Sequence, residues 1–594
     1  MEGIEQTSRQ TLLLAPEHTI ITCLDFYADR TPNAPAYIFL KNGNDDVELL
    51  TYQDLRARAL SFATFLRQDD LEGERAILLF PSGLDFIIAF LACCYARIIC
   101  VPANMTRNPN HFRRLNRIIG SAGARAILTT TDLKDTIALG MSKVNGGGRG
   151  SIVRIYSEGD AQGMPALQPV RRPDSQDVCF LQYTSGSTGD PKGVIVKHCQ
   201  LMANEIAIQA SVDLPYHMTM AGWLPQFHDM GLVGATLLPL ALGGRCVFMS
   251  PLHFIQKPVR WLRMISSYRA DATPAPNFAL DMCITIPETD LDKNLDLSTL
   301  QTLFCGAEPV QARTVRRFQE RFGPYGLRDM AVKPSYGMAE ATLMVSGGLA
   351  PEHERILSVD REPFTHGLVR LSAGSDAQDL VCCGYAPDGH SIRIVAVDGS
   401  HELEDLQVGE IWFSGPSVAS GYWDNPEATR STFGGLLDGN DRRYLCTGDL
   451  GFKYREGLYV TGRIKELIII RGRNYYPHDI ESQVSEVLVD VLGRTRVAAI
   501  GADDRAALVL FVEMPRRWSR SENFSFAGII SLIRSHVSGI FELQVKDVVF
   551  LSHGKLPFTS SGKLQRRECE RAFIEDDPVF REHTLYSTRS VDTH

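Results

Sequence analysis

Short apolar runs with the texture of buried strands alternate with longer amphipathic stretches, and this alternation restricts the fold more than any other feature of the chain. "RAILLF" (75–80), "RIICVPA" (97–103) and "RAILTTT" (125–131) are strand-like, while "TYQDLRARALSFATFLRQ" (51–68) carries apolar residues at helical spacing. Neighbouring parallel strands need a long crossover, usually a helix, so the pattern predicts parallel α/β layers. "GRCVFMS" (244–250) follows the helical "GATLLPLAL", and "LQTLFCGAE" (300–308) precedes the helix-like "ARTVRRFQERF". About the first four hundred residues therefore predict a large doubly wound region. Near Asp405 the texture changes to short strands and turns, as in "GEIWFSGPSVASGYW" and "GDLGFKYREGLYVTGR", which predicts a small β-rich unit. Beyond Lys465, "KELIIIRGRNYYPHDIESQVSEVL" reads as a strand, a turn and an amphipathic helix opening a compact α+β piece. The predicted domains are 1–464 and 465–594, and the polar residues from about 576 onward are expected to fray.

The chain has 594 residues, too many for one ordinary domain. Its formal net charge is −9, and its basic pairs (Arg171-Arg172, Arg316-Arg317, Arg566-Arg567) are scattered, which argues against a nucleic-acid partner. The most hydrophobic stretch, Ala76 to Pro102, is broken by Pro81, Gly83, Asp85 and Arg97, so it reads as a buried strand and helix and no integral membrane segment is expected. The N-terminus lacks a basic leader and does not read as a signal peptide. Thirteen cysteines without a C-x-x-C pair, two sets of them vicinal in apolar strings (Cys93-Cys94 and Cys382-Cys383), suit reduced thiols and a cytoplasmic protein.

The stretch "FLQYTSGSTGDPKGV" (Phe180 to Val194) runs from a strand-like lead-in into a loop of Gly, Ser and Thr that ends on Pro191 and Lys192. The Walker-type loop G-x-x-x-x-G-K-[ST] fails here, because counting from Gly186 puts Pro191 at the second glycine. Another kind of phosphate loop remains, since successive small residues expose N–H groups and hydroxyls to an anion and Lys192 adds a charge. A mobile polar loop has the same composition.

Five further motifs follow in order: "FCGAEPV" (304–310), "SYGMAEAT" (335–342), "YLCTGDLG" (444–451), "TGRIKELIIIRGRNYYPHDIE" (461–481) and "LPFTSSGKLQRR" (556–567). With "YTSGSTGDPKGV" they span nearly the whole chain, which resembles the adenylate-forming superfamily of acyl-CoA synthetases, peptide-synthetase adenylation domains and luciferases. The resemblance implies two doubly wound α/β subdomains and a small β-barrel-like subdomain, followed by a smaller, mobile α+β C-terminal domain. It also implies a two-step reaction in which a carboxylate attacks the α-phosphate of ATP, pyrophosphate leaves, and the acyl group of the bound acyl-AMP is passed on.

On this resemblance Thr184, Ser185, Gly186, Ser187, Thr188, Gly189 and Lys192 would hold the β- and γ-phosphates, and Glu340 with Thr184 would bind Mg²⁺. Tyr336 would stack on adenine, with Ser335, Gly337 and Met338 beside it and Gly306, Ala307 and Glu308 on the other side. Asp449 would take the ribose hydroxyls, assisted by Arg463. Lys563 would reach the α-phosphate and the carboxylate, and Lys465 would be the hinge. The rival readings of these side chains are solvated carboxylates, turn residues and linker lysines.

Peptide-synthetase adenylation domains usually place aspartate in an F-D-x-x context, but here His228 follows Phe227, in "WLPQFHDMGL", which argues against an amino-acid substrate. His228 stands by the substrate carboxylate or is a hydrogen-bonded structural histidine. "GATLLPLALGG" and "PNFALDMC" supply apolar residues for an acyl channel, or for plain core. Between Glu340 and "CCGYAPDGHSIRIV" lies a long interval, about 352–378, that resembles the insertion of fatty acyl-AMP ligases, which load an acyl carrier protein rather than coenzyme A. Its Ile356, Leu357, Val359, Phe364, Leu368, Val369 and Leu371 are expected to dock on a neighbour and restrict the C-terminal domain. The expected function is Mg-ATP-dependent activation of a medium- or long-chain fatty acid. A fatty acyl-CoA synthetase is the nearest alternative, and a non-catalytic adenylate or acyl sensor is the alternative from another class.

Overall fold

The structure is a computed structural model. It describes residues 14–590 except 106–108, 145–152, 170, 185–190, 375–376, 400, 438, 440, 503–506, 517, 519–524 and 560–561. The chain forms two compact units. The first comprises residues 1–351, 383–392 and 412–446, and the second 352–382, 393–411 and 447–594.

The first unit is built on two sheets. One has seven strands in the order Val332–Pro334, Thr302–Cys305, Ala272–Ala275, Thr219–Gly222, Arg245–Met249, Pro35–Leu40, Val47–Thr51, parallel except for the last pair. The other has six: Arg154–Tyr156, Ala126–Leu128, Arg75–Leu78, Ile99–Pro102, Val178–Thr184, Lys192–Lys197, again parallel except at the final edge. Helix Leu84–Ala96 buries every residue but Asp85, which explains the near-continuous apolar run, and it stops where Arg97 takes a left-handed conformation (φ 56°). The stretch from Ala76 to Pro102 is thus strand, helix, strand. Among the described residues no helix is long and apolar enough to cross a membrane.

"GATLLPLAL" is helical with an unusual pitch: Met230–Leu237 is a π-helix, continued by the α-helical turn Leu238–Ala241. Thr236 bends back to give its hydroxyl proton to the Gly231 carbonyl at 2.8 Å, which partners a backbone group in the wider turns.

The second unit centres on a four-stranded sheet, Arg496–Ala502, Ala507–Glu513, Val545–Leu551, Thr584–Ser587. Helices Pro477–Leu492 and Phe526–Phe541 contribute Ile480, Val484, Leu488, Ile533 and Val537 to its core. Residues 447–454 and 457–463 of the same unit pair antiparallel, with Asp449 opposite Arg463 and Tyr454 opposite Gly457. The expectation that the chain frays from about 576 is corrected for its described part: Pro578–Glu582 is a helical turn, and Thr584–Ser587 pairs antiparallel with Val545–Leu551, where Phe550 opposes Tyr586, while 591–594 lie outside the described residues. The edge strand offers backbone partners that outweigh the polar composition.

The 352–378 interval packs in this unit. Ile356–Val359 pairs with Gln378–Val381, and Leu357, Val359, Phe364 and Val369 are buried. The Phe364 ring lies 4.9 Å from that of Tyr476, and the Gln378 amide donates to Asp479 at 2.6 Å. Two of the expected docking residues, Leu368 and Leu371, are instead exposed, at isolated bridges to Gln407 and Val359.

One buried group stands apart. Glu205, in helix His198–Val212, is fully buried and neither carboxylate oxygen has a hydrogen-bond partner. Burial pushes its pKa well above the ordinary carboxylate value of 4.5, so it keeps its proton when folded. The unfolded chain releases that proton above about its ordinary value, so the contribution to stability is complete at low pH and is lost as pH rises through the folded pKa. Glu205→Gln should therefore flatten the loss of stability between acidic and mildly alkaline pH in denaturant titrations, and an unchanged slope would place the dependence elsewhere.

Candidate active site

The small-residue loop is carried by a hairpin. Val178–Thr184 and Lys192–Lys197 pair antiparallel, with Thr184 opposite Lys192, so both ends of the loop are held in register. Ser185, Gly186, Ser187, Thr188 and Gly189 lie outside the described residues. Gly193 is required by packing, since a Cβ there would come within 2.9 Å of the Tyr183 ring. The stretch 420–423 covers the outer edge of the hairpin. Ile195 N–H donates to the Gly421 carbonyl at 2.9 Å, Ser420 N–H to Ile195 at 3.0 Å, and Trp423 N–H to Gly193 at 2.8 Å.

That stitching places Tyr422 between two residues singled out from the sequence. Its ring centroid is 5.0 Å from Lys192 Nζ, within cation–π range, and its hydroxyl donates to Glu340 Oε1 at 2.8 Å. Glu340 sits in the single turn Ala339–Ala341, nearly buried, and its carbonyl accepts from Ala419 N–H at 2.9 Å. Burial first, and the Glu340 charge second, raise the Tyr422 pKa far above its ordinary value, so the phenol stays protonated and keeps donating. The cluster joins a cation, a polarised phenol and a carboxylate beside the loop.

Nearby in sequence motif, Gly306 and Ser335 are pressed together: a Cβ on Gly306 would stand 2.7 Å from the Ser335 carbonyl oxygen, and Ser335 N–H donates to Cys305 at 2.8 Å. Ala307 takes a left-handed conformation (φ 67°) that turns the chain sharply after strand Thr302–Cys305. Glu308 accepts from Phe278 N–H at 2.6 Å at the start of helix Asn277–Ile284, so its side chain is engaged by a helix end and only its backbone flanks the motif. Tyr336 is half-buried, with its hydroxyl directed at the Met338 sulfur at 3.9 Å, and Tyr336 and Gly337 pair with Ser346 and Met344.

His228 Nδ1 lies 2.6 Å from Asp229 Oδ1, and its carbonyl accepts the Leu232 N–H at 2.7 Å at the entry to the π-helix. Gln182, on the loop-bearing strand, donates to the Phe227 carbonyl at 3.0 Å and fixes His228 to the same base.

The remaining predicted residues belong to the second unit. Asp449 and Arg463 oppose each other across a strand pair, with Arg463 Nε 2.7 Å from Asp449 Oδ1, and the Asp449 side chain is 5% exposed. Thr447 accepts from Asp449 N–H at 3.1 Å and gives its own proton to Ile411 at 2.7 Å, which fixes the turn. Lys465 is exposed in the turn Ile464–Glu466. Lys563 is half-buried; its N–H donates to the Thr559 hydroxyl at 3.0 Å and its carbonyl accepts the Thr559 N–H at 2.8 Å.

Comparison with known proteins follows the same outline. Residues 24–423 match the family model described as AMP-binding enzyme, and 465–581 match one described as Disco-interacting protein 2-like, AMP domain. The medium-chain-fatty-acid–[acyl-carrier-protein] ligase JamA of Moorena producens is 35% identical over 94% of this chain and 95% of its own. The long-chain-fatty-acid–AMP ligase FadD26 of Mycobacterium marinum is 34% identical over 94% of this chain and 98% of its own. The fatty acyl-adenylate ligase from L. pneumophila, solved in complex with acyl adenylate and pyrophosphate, superposes with a TM-score of 0.71 at 33% identity, covering 96% of this chain and 97% of that one. Two α/β sheets, a nucleotide-type loop on a hairpin and a smaller α+β unit define an adenylate-forming enzyme. The chain belongs to the AMP-binding enzyme family, and within it to the fatty acyl-AMP ligases.

Tyr422 is the residue that sequence reasoning passes over, and it is tested directly. Tyr422→Phe keeps the ring over Lys192 and removes only the proton given to Glu340. A hydrogen bond to a charged group contributes about 1.5–3 kcal/mol, so pyrophosphate release should slow by roughly ten- to a hundredfold while the fold is retained. An unchanged rate would show that the Glu340–Tyr422 contact is purely structural.

Proposed function

We propose that the protein uses ATP to convert a medium- or long-chain fatty acid into acyl-AMP, releasing pyrophosphate, and delivers the acyl group to an acyl carrier protein. The observation that carries the reading is the Lys192–Tyr422–Glu340 cluster at the ends of the loop hairpin. Full-length similarity to ligases named for fatty acids, AMP and acyl carrier protein supports the substrate class. None of the thirteen cysteines is paired in a disulfide, which supports a cytoplasmic location.

In the first step a fatty carboxylate oxygen bonds to the α-phosphorus of ATP while the bond from that phosphorus to the pyrophosphate oxygen breaks. Two anions must approach, so positioning and charge neutralisation lower the barrier. Thr184, Ser185, Gly186, Ser187, Thr188, Gly189 and Lys192 hold the departing phosphates. Glu340 and Thr184 are hard oxygen donors of the kind Mg²⁺ takes, and the ion would neutralise phosphate charge there. Tyr336 stacks on adenine against the Gly306–Ala307–Glu308 backbone, with Ser335, Gly337 and Met338 shaping that wall. Asp449, oriented by Arg463, accepts the ribose hydroxyls. His228, held by Asp229, faces the carboxylate, and Lys563 neutralises the α-phosphate and carboxylate oxygens.

In the second step the carrier's thiol sulfur bonds to the acyl carbon and loses its proton while the bond from that carbon to the phosphate oxygen breaks and AMP leaves, with Lys465 as the pivot of a C-terminal domain that begins there. The 352–378 interval supports the carrier protein over coenzyme A as acceptor, because its Phe364 and Gln378 engage Tyr476 and Asp479 beyond that pivot. A restrained C-terminal domain disfavours acyl transfer to free coenzyme A.

Purified protein with Mg-ATP and labelled dodecanoic or hexadecanoic acid should accumulate acyl-AMP, and coenzyme A should not consume it. Rapid conversion to acyl-CoA would identify a synthetase instead, and absence of pyrophosphate release would leave a binding protein. Lys563→Ala should slow adenylation by on the order of a hundred- to a thousandfold without unfolding the chain. Combining Phe364→Ala with Gln378→Ala should raise acyl-CoA formation; a folded double variant that gains none would remove the proposed restraint.

A further inference from the structure

Among the described residues, one cluster brings metal-ligating side chains together away from the site above. Cys94, Cys179 and His198 are each buried, and one ligand atom from each lies within 4.8 Å of the others. They come from three elements: Cys94 from the last turns of helix Leu84–Ala96, Cys179 from strand Val178–Thr184, and His198 from the residue after strand Lys192–Lys197. His198 is 2% exposed, and its Nδ1 is buried with no hydrogen-bond partner. A buried imidazole nitrogen left without a partner is costly, so this one calls for a ligand.

We propose that Cys94, Cys179 and His198 form a structural site for one zinc ion. The Cys94 and Cys179 sulfurs are 3.8 Å apart. Two thiolates on one tetrahedral zinc at about 2.3 Å stand about 3.8 Å apart, so both sulfurs are already spaced to share the ion. Zn²⁺ displaces one proton from each thiol it binds, and with two thiolates and a neutral imidazole the complex carries no net charge. That suits a core in which an uncompensated charge would be expensive.

The position gives the ion a mechanical role. Val178 opposes Lys197 at the open end of the loop hairpin, and Cys179 and His198 each follow one of that pair. Zinc there ties the two strands to each other and to helix Leu84–Ala96, fixing the base from which Thr184 and Lys192 are aimed. The inference does not depend on which acid or acceptor the enzyme uses.

The test is metal analysis of the untagged full-length chain produced in zinc-supplemented medium. About one zinc per chain is expected, falling at least about tenfold in Cys179→Ser and in His198→Asn, with a lower thermal midpoint, while Cys283→Ser, elsewhere in the core, retains it. Because the variants risk misfolding, the wild-type chain is also produced with cobalt, where tetrahedral d–d bands and thiolate-to-cobalt charge transfer are expected. Substoichiometric metal in the wild type, loss of two titratable thiols to a Cys94–Cys179 disulfide, zinc retained in both variants, zinc lost equally from Cys283→Ser, or cobalt without thiolate charge transfer would each overturn the proposal.

Discussion

The antiparallel pairing that closes the six-stranded sheet is the constraint on which the candidate site depends. Five of its strands run parallel, and the sixth, Lys192–Lys197, turns back and becomes an edge. An uncovered edge presents unpaired backbone groups and invites a partner. Here the partner is the chain's own 420–423 segment, whose hydrogen bonds to Gly193 and Ile195 bring Tyr422 over Lys192 and within reach of Glu340. The same backbone ladder therefore holds the loop ends in register, covers the edge and assembles the polar cluster. Gly193 belongs to this logic, because any larger side chain would meet the Tyr183 ring.

Much of this was legible from residues alone where periodicity carries the signal. Strands Arg75–Leu78, Ile99–Pro102, Ala126–Leu128 and Arg245–Met249 lie within the apolar runs that announce them, and helices Tyr52–Leu66 and Ala312–Phe322 within the amphipathic ones. Tyr422 was not legible: nothing local in "SGYW" marks a partner of Glu340, since the contact arises only when an edge is covered by a distant stretch. The last strand was missed for a related reason. "TLYS" is short and mostly polar, and its order comes from the vacant edge of Val545–Leu551 and from Tyr586 stacking on Phe526 at 4.8 Å. Glu308 shows the converse, because its motif draws attention to the side chain while the fold uses that carboxylate to hold a helix N-terminus.

Lys465, the proposed pivot, stands next to an ion-pair cluster that ties together the chain after it. Glu466 is bound to Arg566 at 2.7 Å, and Arg566 also grips Glu481 through two 2.7 Å contacts. Burial works against that guanidinium's charge, but the two carboxylates more than offset it and keep it firmly protonated. Removing either kind of partner from such a triad strands a buried charge, so Glu466 moves with the chain that follows it. Any backbone rotation proposed at this boundary is then confined to the exposed residues just before Glu466, where Lys465 sits.

The proposed rotation would have to break the contacts of the 352–378 interval with Tyr476 and Asp479. Burying the Phe364 side chain, only 3% exposed, is worth about 1.5–3 kcal/mol, and the Gln378–Asp479 hydrogen bond about 0.5–1.5 kcal/mol. Together these would oppose release by roughly 2–4.5 kcal/mol, a factor of about 30 to 2000 in the population of a released form. On that proposal, a free thiol cofactor arriving by diffusion would have to wait for the minor form. A carrier protein brings a binding surface of its own, and contacts made only with the released form can offset the same cost. On the function proposed above, the interval would discriminate between acceptors through the energy of a conformational change, without touching either acceptor.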